Sequence, residues 1–241
     1  MRATVRRNCS WIAVSGSFFA VALATFAQQP PQPAPQEKVA AIRDAFQASQ
    51  AALRSYEWIE TTAVALRGEE KSRQQKRCYY GAEGALQKVA VGAAPEPGKT
   101  PRGVRGRIVE NKKEELTGYL KAAVDLVHAY LPPDPARIQA AKDAGKAWIN
   151  PAGPPGRLHV ELRDYLKPGD VLAVDLDLAN SRPLGLRIST YLDAPSEPVS
   201  LDVQMASFPD GTIYTAISTL EAPAKAIRVS VESSGYRKAG S

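Results

Sequence analysis

The chain has 241 residues and a formal net charge of +6, and 44% hydrophobic residues are typical of a globular protein rather than a disordered one. Residues 1–27 contain three arginines and no acidic residue, so the rest of the chain has 28 basic and 25 acidic residues. This small excess argues against a nucleic-acid-binding protein, because such proteins concentrate basic residues on one surface.

The N-terminal segment has the pattern of a secretory leader. Three arginines within the first seven residues precede an apolar run from Trp11 to Ala27, which ends with the small residues Thr25 and Ala27 at the positions that a signal peptidase reads. We therefore expect residues 1–27 to be a signal peptide and the mature protein to be periplasmic or secreted. The alternative is an uncleaved membrane anchor, for which the run is short. Because no later stretch is apolar enough to span a membrane, the protein is not expected to be an integral membrane protein.

A Pro/Gln-rich stretch over residues 28–36 separates the leader from the rest of the chain. Its closely spaced prolines cannot make helix or sheet hydrogen bonds, so an extended linker is expected. Residues 37–241 are long enough to form one domain with its own core. Cys9 lies in the leader, so Cys78 is the one cysteine of this domain and has no partner within it for a disulfide.

The first half of the domain predicts a helix, a three-stranded meander and then more helix. Apolar residues recur at helical spacing from Glu37 to Arg54, and strands follow with intervening turns. The predicted strands are Tyr56–Leu66, Glu70–Tyr80 and Leu86–Val91. A Pro/Gly-rich loop from Gly92 to Gly106 comes next, and helical spacing returns from Leu116 to Leu131. Asp134 followed by Pro135 predicts the start of another helix that ends near Lys146.

The second half is predicted to be almost all strand. After a loop at 150–156, about six apolar-polar alternating segments follow one another with short turns and no helices between them, which indicates antiparallel pairing. The predicted fold class is α+β: a curved antiparallel β-sheet, an unclosed half-barrel, with the leading helix and the mid-chain helices packed on its concave face. In that arrangement every apolar face finds a partner.

This order of elements resembles the periplasmic lipoprotein-carrier superfamily, which includes the LolA carrier, RseB-type sensors and LppX-like lipid binders. The resemblance is topological: a leader, a first helix, the strand that begins Tyr56-Glu57-Trp58, and mid-chain helices between two halves of a sheet. It implies an unclosed barrel whose helical lid covers an apolar cavity that binds acyl chains. The chain departs from the carriers in its highly charged second strand and in lacking an arginine that matches their functional one.

The sequence contains no recognisable catalytic or metal-binding motif, so the protein is not expected to be an enzyme, and neither a metal nor a cofactor is predicted. His128 and His159 are far apart in the sequence, and Asp175 and Asp177 are explained by a solvated strand face. No Gly-x-Ser-x-Gly elbow is present. Cys78 with a distant histidine is the remaining catalytic alternative.

Function is therefore predicted from the proposed apolar space between the sheet and its helices. The first hypothesis is an exported binding or carrier protein for an apolar, lipid-like ligand. Its head group is expected at the rim near the basic loop of Arg102, Arg105 and Arg107. The alternative is an interaction or structural module of the envelope that has a filled core and binds an envelope protein. The candidate cavity residues are Phe46, Tyr56, Trp58, Tyr119, Val124 and Tyr130.

Overall fold

The computed structural model describes residues 35–92 and 104–239, which belong to a unit that extends from Ala34 to Ser241. The predicted signal peptide, nearly all of the predicted linker and Arg102 lie outside the described residues, as do the side chains of Arg105 and Arg107. The predictions made for these residues stay predictions.

The described chain contains three α-helices and ten strands. The helices are α1 (Pro35–Ala52), α2 (Val104–His128) and α3 (Pro135–Asp143), and two short 3-10 helices cover Leu53–Ser55 and Pro223–Lys225. The strands are β1 (Tyr56–Leu66), β2 (Glu69–Tyr80), β3 (Leu86–Val91), β4 (Ala147–Pro151), β5 (Arg157–Arg163), β6 (Val171–Asp177), β7 (Arg182–Tyr191), β8 (Pro198–Ser207), β9 (Ile213–Ala222) and β10 (Ile227–Lys238).

All ten strands form one antiparallel sheet in the order β3-β2-β1-β10-β9-β8-β7-β6-β5-β4. The first strand pairs with the last, Val64 opposite Val229, so the N-terminal meander continues the C-terminal one. Strands β3 and β4 are the two edges, and the sheet does not close. The predicted α+β fold is therefore confirmed: an unclosed antiparallel sheet with helices on its concave face.

Two predicted boundaries in the middle of the chain were wrong. The expected loop to Gly106 ends earlier, because α2 begins at Val104; one internal glycine costs a helix only about 1 kcal/mol and does not end it. Helix α3 stops at Asp143 instead of continuing to Lys146. Gly145 follows with a left-handed φ of 68°, and the Lys146 amide donates to the carbonyl of Ala141, which closes the helix end.

Strand β4 is an element that the sequence analysis missed. Its five residues, Ala147–Pro151, were assigned in part to a loop because prolines and glycines follow closely. It pairs with β5, Ile149 opposite Val160, and forms one edge of the sheet. Because β4 is an edge strand, Trp148 and Ile149 remain exposed. The guanidinium of Arg163 lies 4.2 Å from the centre of the Trp148 ring.

The main core lies between α2, α3 and strands β5 to β9. Leu172 and Ile188 from the sheet and Ala123 and Val127 from α2 are almost completely buried in it. Helix α1 packs farther along the same face, where the Ser49 hydroxyl accepts a hydrogen bond of 2.9 Å from the amide of Ile213 in β9. The helices thus pack on one face of the sheet, and the candidate site lies between the helices and that face.

Candidate functional site

An apolar cavity of about 550 Å³ lies between helices α1 and α2 and the central strands β7 to β10. The lining residues come from both helices, from the segment that follows α2 and from the inward faces of four strands. They are Phe46, Val124, Val127, His128, Leu131, Pro132, Pro133, Leu186, Leu201, Val203, Met205, Thr215, Ser218, Leu220, Val229 and Val231.

Strand register explains why these sheet residues meet. Leu201 lies opposite Leu220 and Val203 opposite Ser218 across β8 and β9, while Val231 lies opposite Ser218 across β9 and β10. Because side chains alternate between the faces of a strand, each of these partners points to the same side. A register shift after Gln204 places Met205 opposite Thr215, and both of these residues also line the cavity.

The lining is nearly free of polar groups. Of the sixteen lining residues thirteen are apolar, and the polar ones are His128, Thr215 and Ser218, none of which is a carboxylate or an amine. His128 and Pro132 are exposed, so the cavity opens to solvent at the C-terminal end of α2. A space with this lining offers burial of apolar surface and few hydrogen bonds, so it suits an apolar ligand.

The structure brings two of the six predicted cavity residues to this space, Phe46 from α1 and Val124 from α2. The other four, Tyr56, Trp58, Tyr119 and Tyr130, do not line it. Three of them pack in two other clusters, and the fourth lies farther along α2.

Tyr56 and Trp58 belong to a cluster of six aromatic rings at the end of the sheet where β1 begins. Neighbouring rings have centroids 4.4 to 6.1 Å apart, a range in which aromatic rings attract one another. The other members are Tyr80, Phe208, Tyr214 and Tyr236. Burial raises the pKa of Tyr236 to about 12. These rings pack against one another, and none of them lines the apolar cavity.

Tyr130 lies in a buried polar network beside the cavity. Its hydroxyl donates to Asp170 at 2.6 Å and lies 2.7 Å from the Thr190 hydroxyl, and its ring stacks on Tyr165. Burial, followed by the bond to Asp170, raises the pKa of this phenol well above its usual range. The Asp170 carboxylate also accepts three backbone amides, those of Tyr165, Leu166 and Lys167. The network joins the C-terminal end of α2 to the β5–β6 turn and β7.

Tyr119 lies on α2 five residues before Val124, outside the cavity lining. Its hydroxyl is buried and has no hydrogen-bond partner within the described part of the chain. The ammonium of Lys225 lies 5.7 Å from the centre of its ring.

The geometry gives little support to the two alternatives considered from the sequence, a catalytic cysteine–histidine pair and a metal site. Cys78 is fully buried, and burial raises the pKa of its thiol, so the reactive thiolate is disfavoured. The Nδ1 atom of His159 lies 2.7 Å from Asp175, whereas Asp177 accepts hydrogen bonds from the β6–β7 turn. No group of three or more possible metal ligands forms within residues 35–92 and 104–239.

None of the helices that the structure describes is long and apolar enough to cross a membrane.

Comparison with known proteins adds distant structural similarity only. No protein-family model and no curated protein matches the chain. The chain is similar to the crystal structure of a DUF1329 family protein from Desulfovibrio piger, with 10% identity and a TM-score of 0.35 over 84% of this chain and 94% of the other. The resemblance to the lipoprotein carriers remains a prediction.

Proposed function

We propose that this chain is an exported periplasmic binding or carrier protein for an apolar, lipid-like ligand. The observation that carries the proposal is the cavity of about 550 Å³ between the sheet and the helices. A protein that served only as an interaction module would be expected to fill this space with side chains, as ordinary cores do. The leader-like pattern of residues 1–27 supports export.

The size of the cavity is compatible with one acyl chain. If a methylene takes about the volume of a water molecule, roughly 30 Å³, the space holds at most about 18 methylenes. Burial of about 14 methylenes would contribute about 11 kcal/mol. Association costs of at least about 4 kcal/mol then leave at most about 7 kcal/mol, which corresponds to a dissociation constant on the order of 10 µM or weaker.

A matched pair of substitutions on β9 tests this proposal. Ser218 lines the cavity, whereas the next residue, Thr219, lines a shallow groove that also includes Arg187 and Arg228. Ser218→Phe should displace at least two methylenes of a bound chain, which costs about 1.6 kcal/mol, or more than tenfold in affinity. Thr219→Phe adds the same ring outside the cavity and should leave affinity unchanged. Titration of detergent-free protein with a fluorescent fatty acid measures both.

The control for folding is the circular dichroism spectrum and melting temperature of each variant, which we expect to stay near those of the wild-type protein because Ser218→Phe fills an existing space. Absence of saturable binding to the wild-type protein would favour the envelope interaction module. Equal affinity of the Ser218 and Thr219 variants would place the binding site elsewhere.

A further inference from the structure

A second cleft, of about 300 Å³, lies beneath the N-terminal half of α2. The β1–β2 turn and the 3-10 helix Pro223–Lys225 form its other walls. The Arg67 amide donates to the Ala226 carbonyl at 2.8 Å, and both residues have positive φ, 55° and 51°. This contact holds the two loops together. The cleft is lined by Leu66, Arg67, Lys112, Glu115, Leu116, Ala224, Lys225 and Ala226.

Positive charge predominates in this cleft. Arg67, Lys112 and Lys225 line it together with one carboxylate, that of Glu115. The Lys225 ammonium lies 2.7 Å from Glu115, and its pKa is raised chiefly by this hydrogen bond, with a smaller contribution from Glu197. Among residues 35–92 and 104–239, neither Arg67 nor Lys112 has an ion pair or a side-chain hydrogen bond. Besides Lys225, Lys112 also helps to lower the pKa of the Glu115 carboxylate. The three cations of the cleft therefore share one carboxylate, and Arg67 has no ion pair within the described chain.

An unsatisfied hydrogen-bond donor lies beside Lys225. The Tyr119 hydroxyl is buried without a partner in the described chain, and burial is the largest cause that raises its pKa, so it is a neutral O–H group. A buried polar group without a hydrogen bond costs about 1–3 kcal/mol. Its ring lies against Lys225, so an oxygen atom of a ligand that reaches past Lys225 would satisfy it.

The cleft and the apolar cavity lie along one face of α2. Leu116 lines the cleft, Leu120 packs on the core, and Val124 and Val127 line the cavity. A helix rises 1.5 Å per residue, so Leu116 and Val124 are about 12 Å apart along its axis. An extended chain of about ten carbon atoms spans that distance.

We infer that the cleft binds a phosphate or carboxylate group through Arg67, Lys112 and Lys225. Resting on the proposed function, we assign this anion as the head group of the amphiphile whose chain occupies the cavity. The ligand class is then a single-chain anionic amphiphile. Such a head group would form charge-assisted hydrogen bonds with the basic side chains of the cleft and would accept a hydrogen bond from the Tyr119 hydroxyl.

Three probes test the inference: hexadecyl phosphate, hexadecan-1-ol and inorganic phosphate, each titrated calorimetrically. The wild-type protein should bind hexadecyl phosphate about tenfold or more tightly than hexadecanol, since charge-assisted hydrogen bonds are worth at least that factor. The double variant Arg67→Gln/Lys112→Gln should lose this preference and still bind hexadecanol. The control Lys113→Gln/Lys121→Gln removes the same charge from α2 at two positions outside the cleft and should keep the preference.

Tyr119→Phe supplies a second readout. It should weaken hexadecyl phosphate binding severalfold while the ligand-free protein keeps or gains stability, because an unsatisfied buried hydroxyl is removed. A purely structural role would lower stability instead.

The outcomes separate the two proposals. Equal binding of both hexadecyl probes, unaltered in the cleft variant, overturns the anion site and leaves the apolar cavity in place. Binding of inorganic phosphate alone, lost in the cleft variant, supports the anion site with free phosphate as its source and contradicts the lipid-binding function. Binding of no probe overturns both.

Discussion

Replacing Asp170 with alanine should lower the free energy of unfolding by about 3–5 kcal/mol. The carboxylate is completely buried and accepts hydrogen bonds from the Tyr130 hydroxyl and from three consecutive backbone amides. Each buried donor that is left without a partner costs about 1–3 kcal/mol, whereas the whole domain is expected to be stable by only about 5–15 kcal/mol. Urea unfolding followed by circular dichroism measures the difference.

Asp175→Ala is the matched control, because Asp175 lies in β6, the strand that begins directly after Asp170, is half exposed and has its side chain bonded to His159. Its effect should stay within about 1 kcal/mol, as for other surface pairs. Similar losses for the two variants would show that the network around Tyr130 does not anchor the end of α2.

Gly185→Ala should destabilise the protein by about 1–3 kcal/mol although it adds a single methyl group. A Cβ atom at Gly185 in β7 would lie 2.8 Å from the backbone oxygen of Val203 in β8, and a backbone atom cannot swing aside as a side chain can. The two strands would have to separate locally, which is the usual cost of overpacking. Thermal or urea unfolding measures this loss.

Gly118→Ala should change the free energy of unfolding in the opposite direction. Gly118 lies inside α2, and an added Cβ meets no atom within 4 Å. Alanine is favoured over glycine in a helix by about 0.5–1 kcal/mol, so this variant should be more stable than the wild-type protein. Effects of the same sign for both substitutions would contradict the packing at Gly185.

The sequence of helices and strands along the chain could largely be predicted because local patterns determine it, whereas the pairing of β1 with β10 was not predicted. Alternation from Tyr56 to Leu66 and helical spacing before Arg54 identify elements whose bounds agree with the structure within about two residues. Strand β4 was missed because its Trp148 and Ile149 lie at an exposed edge, where alternation with a buried face is weak. Its pairing with β5 is a tertiary contact that the local pattern does not show.

The lining of the cavity was harder to predict than the fold. The aromatic candidates were chosen for their size, yet large rings such as Tyr56 and Trp58 pack against one another and fill space. A cavity forms instead where inward positions carry small side chains. Ser218 and Thr215 of β9 occupy such positions, opposite Val203 and Met205 of β8. Small polar residues at inward positions of β9 were the available signal.

Helix α2 takes part both in the core of the fold and in the two proposed binding sites. Its last two turns carry Val124 and Val127 over the cavity, and the Tyr130–Asp170 network holds the chain directly after its C-terminal end. The ion pair between Glu115 and Lys225 holds its N-terminal half to the 3-10 helix at the second cleft. One helix thus contributes to the fixed core, the cavity and the cleft.

The most direct test of the cavity as a ligand site is a crystal structure of the protein soaked with 12-bromododecan-1-ol. This probe has no charge, so the result does not depend on the anion site. We predict an anomalous bromine peak inside the cavity, within van der Waals contact of its lining near Val124, Val203 or Leu220. A cavity without density for the probe, with bromine found only on the outer surface, would contradict the account.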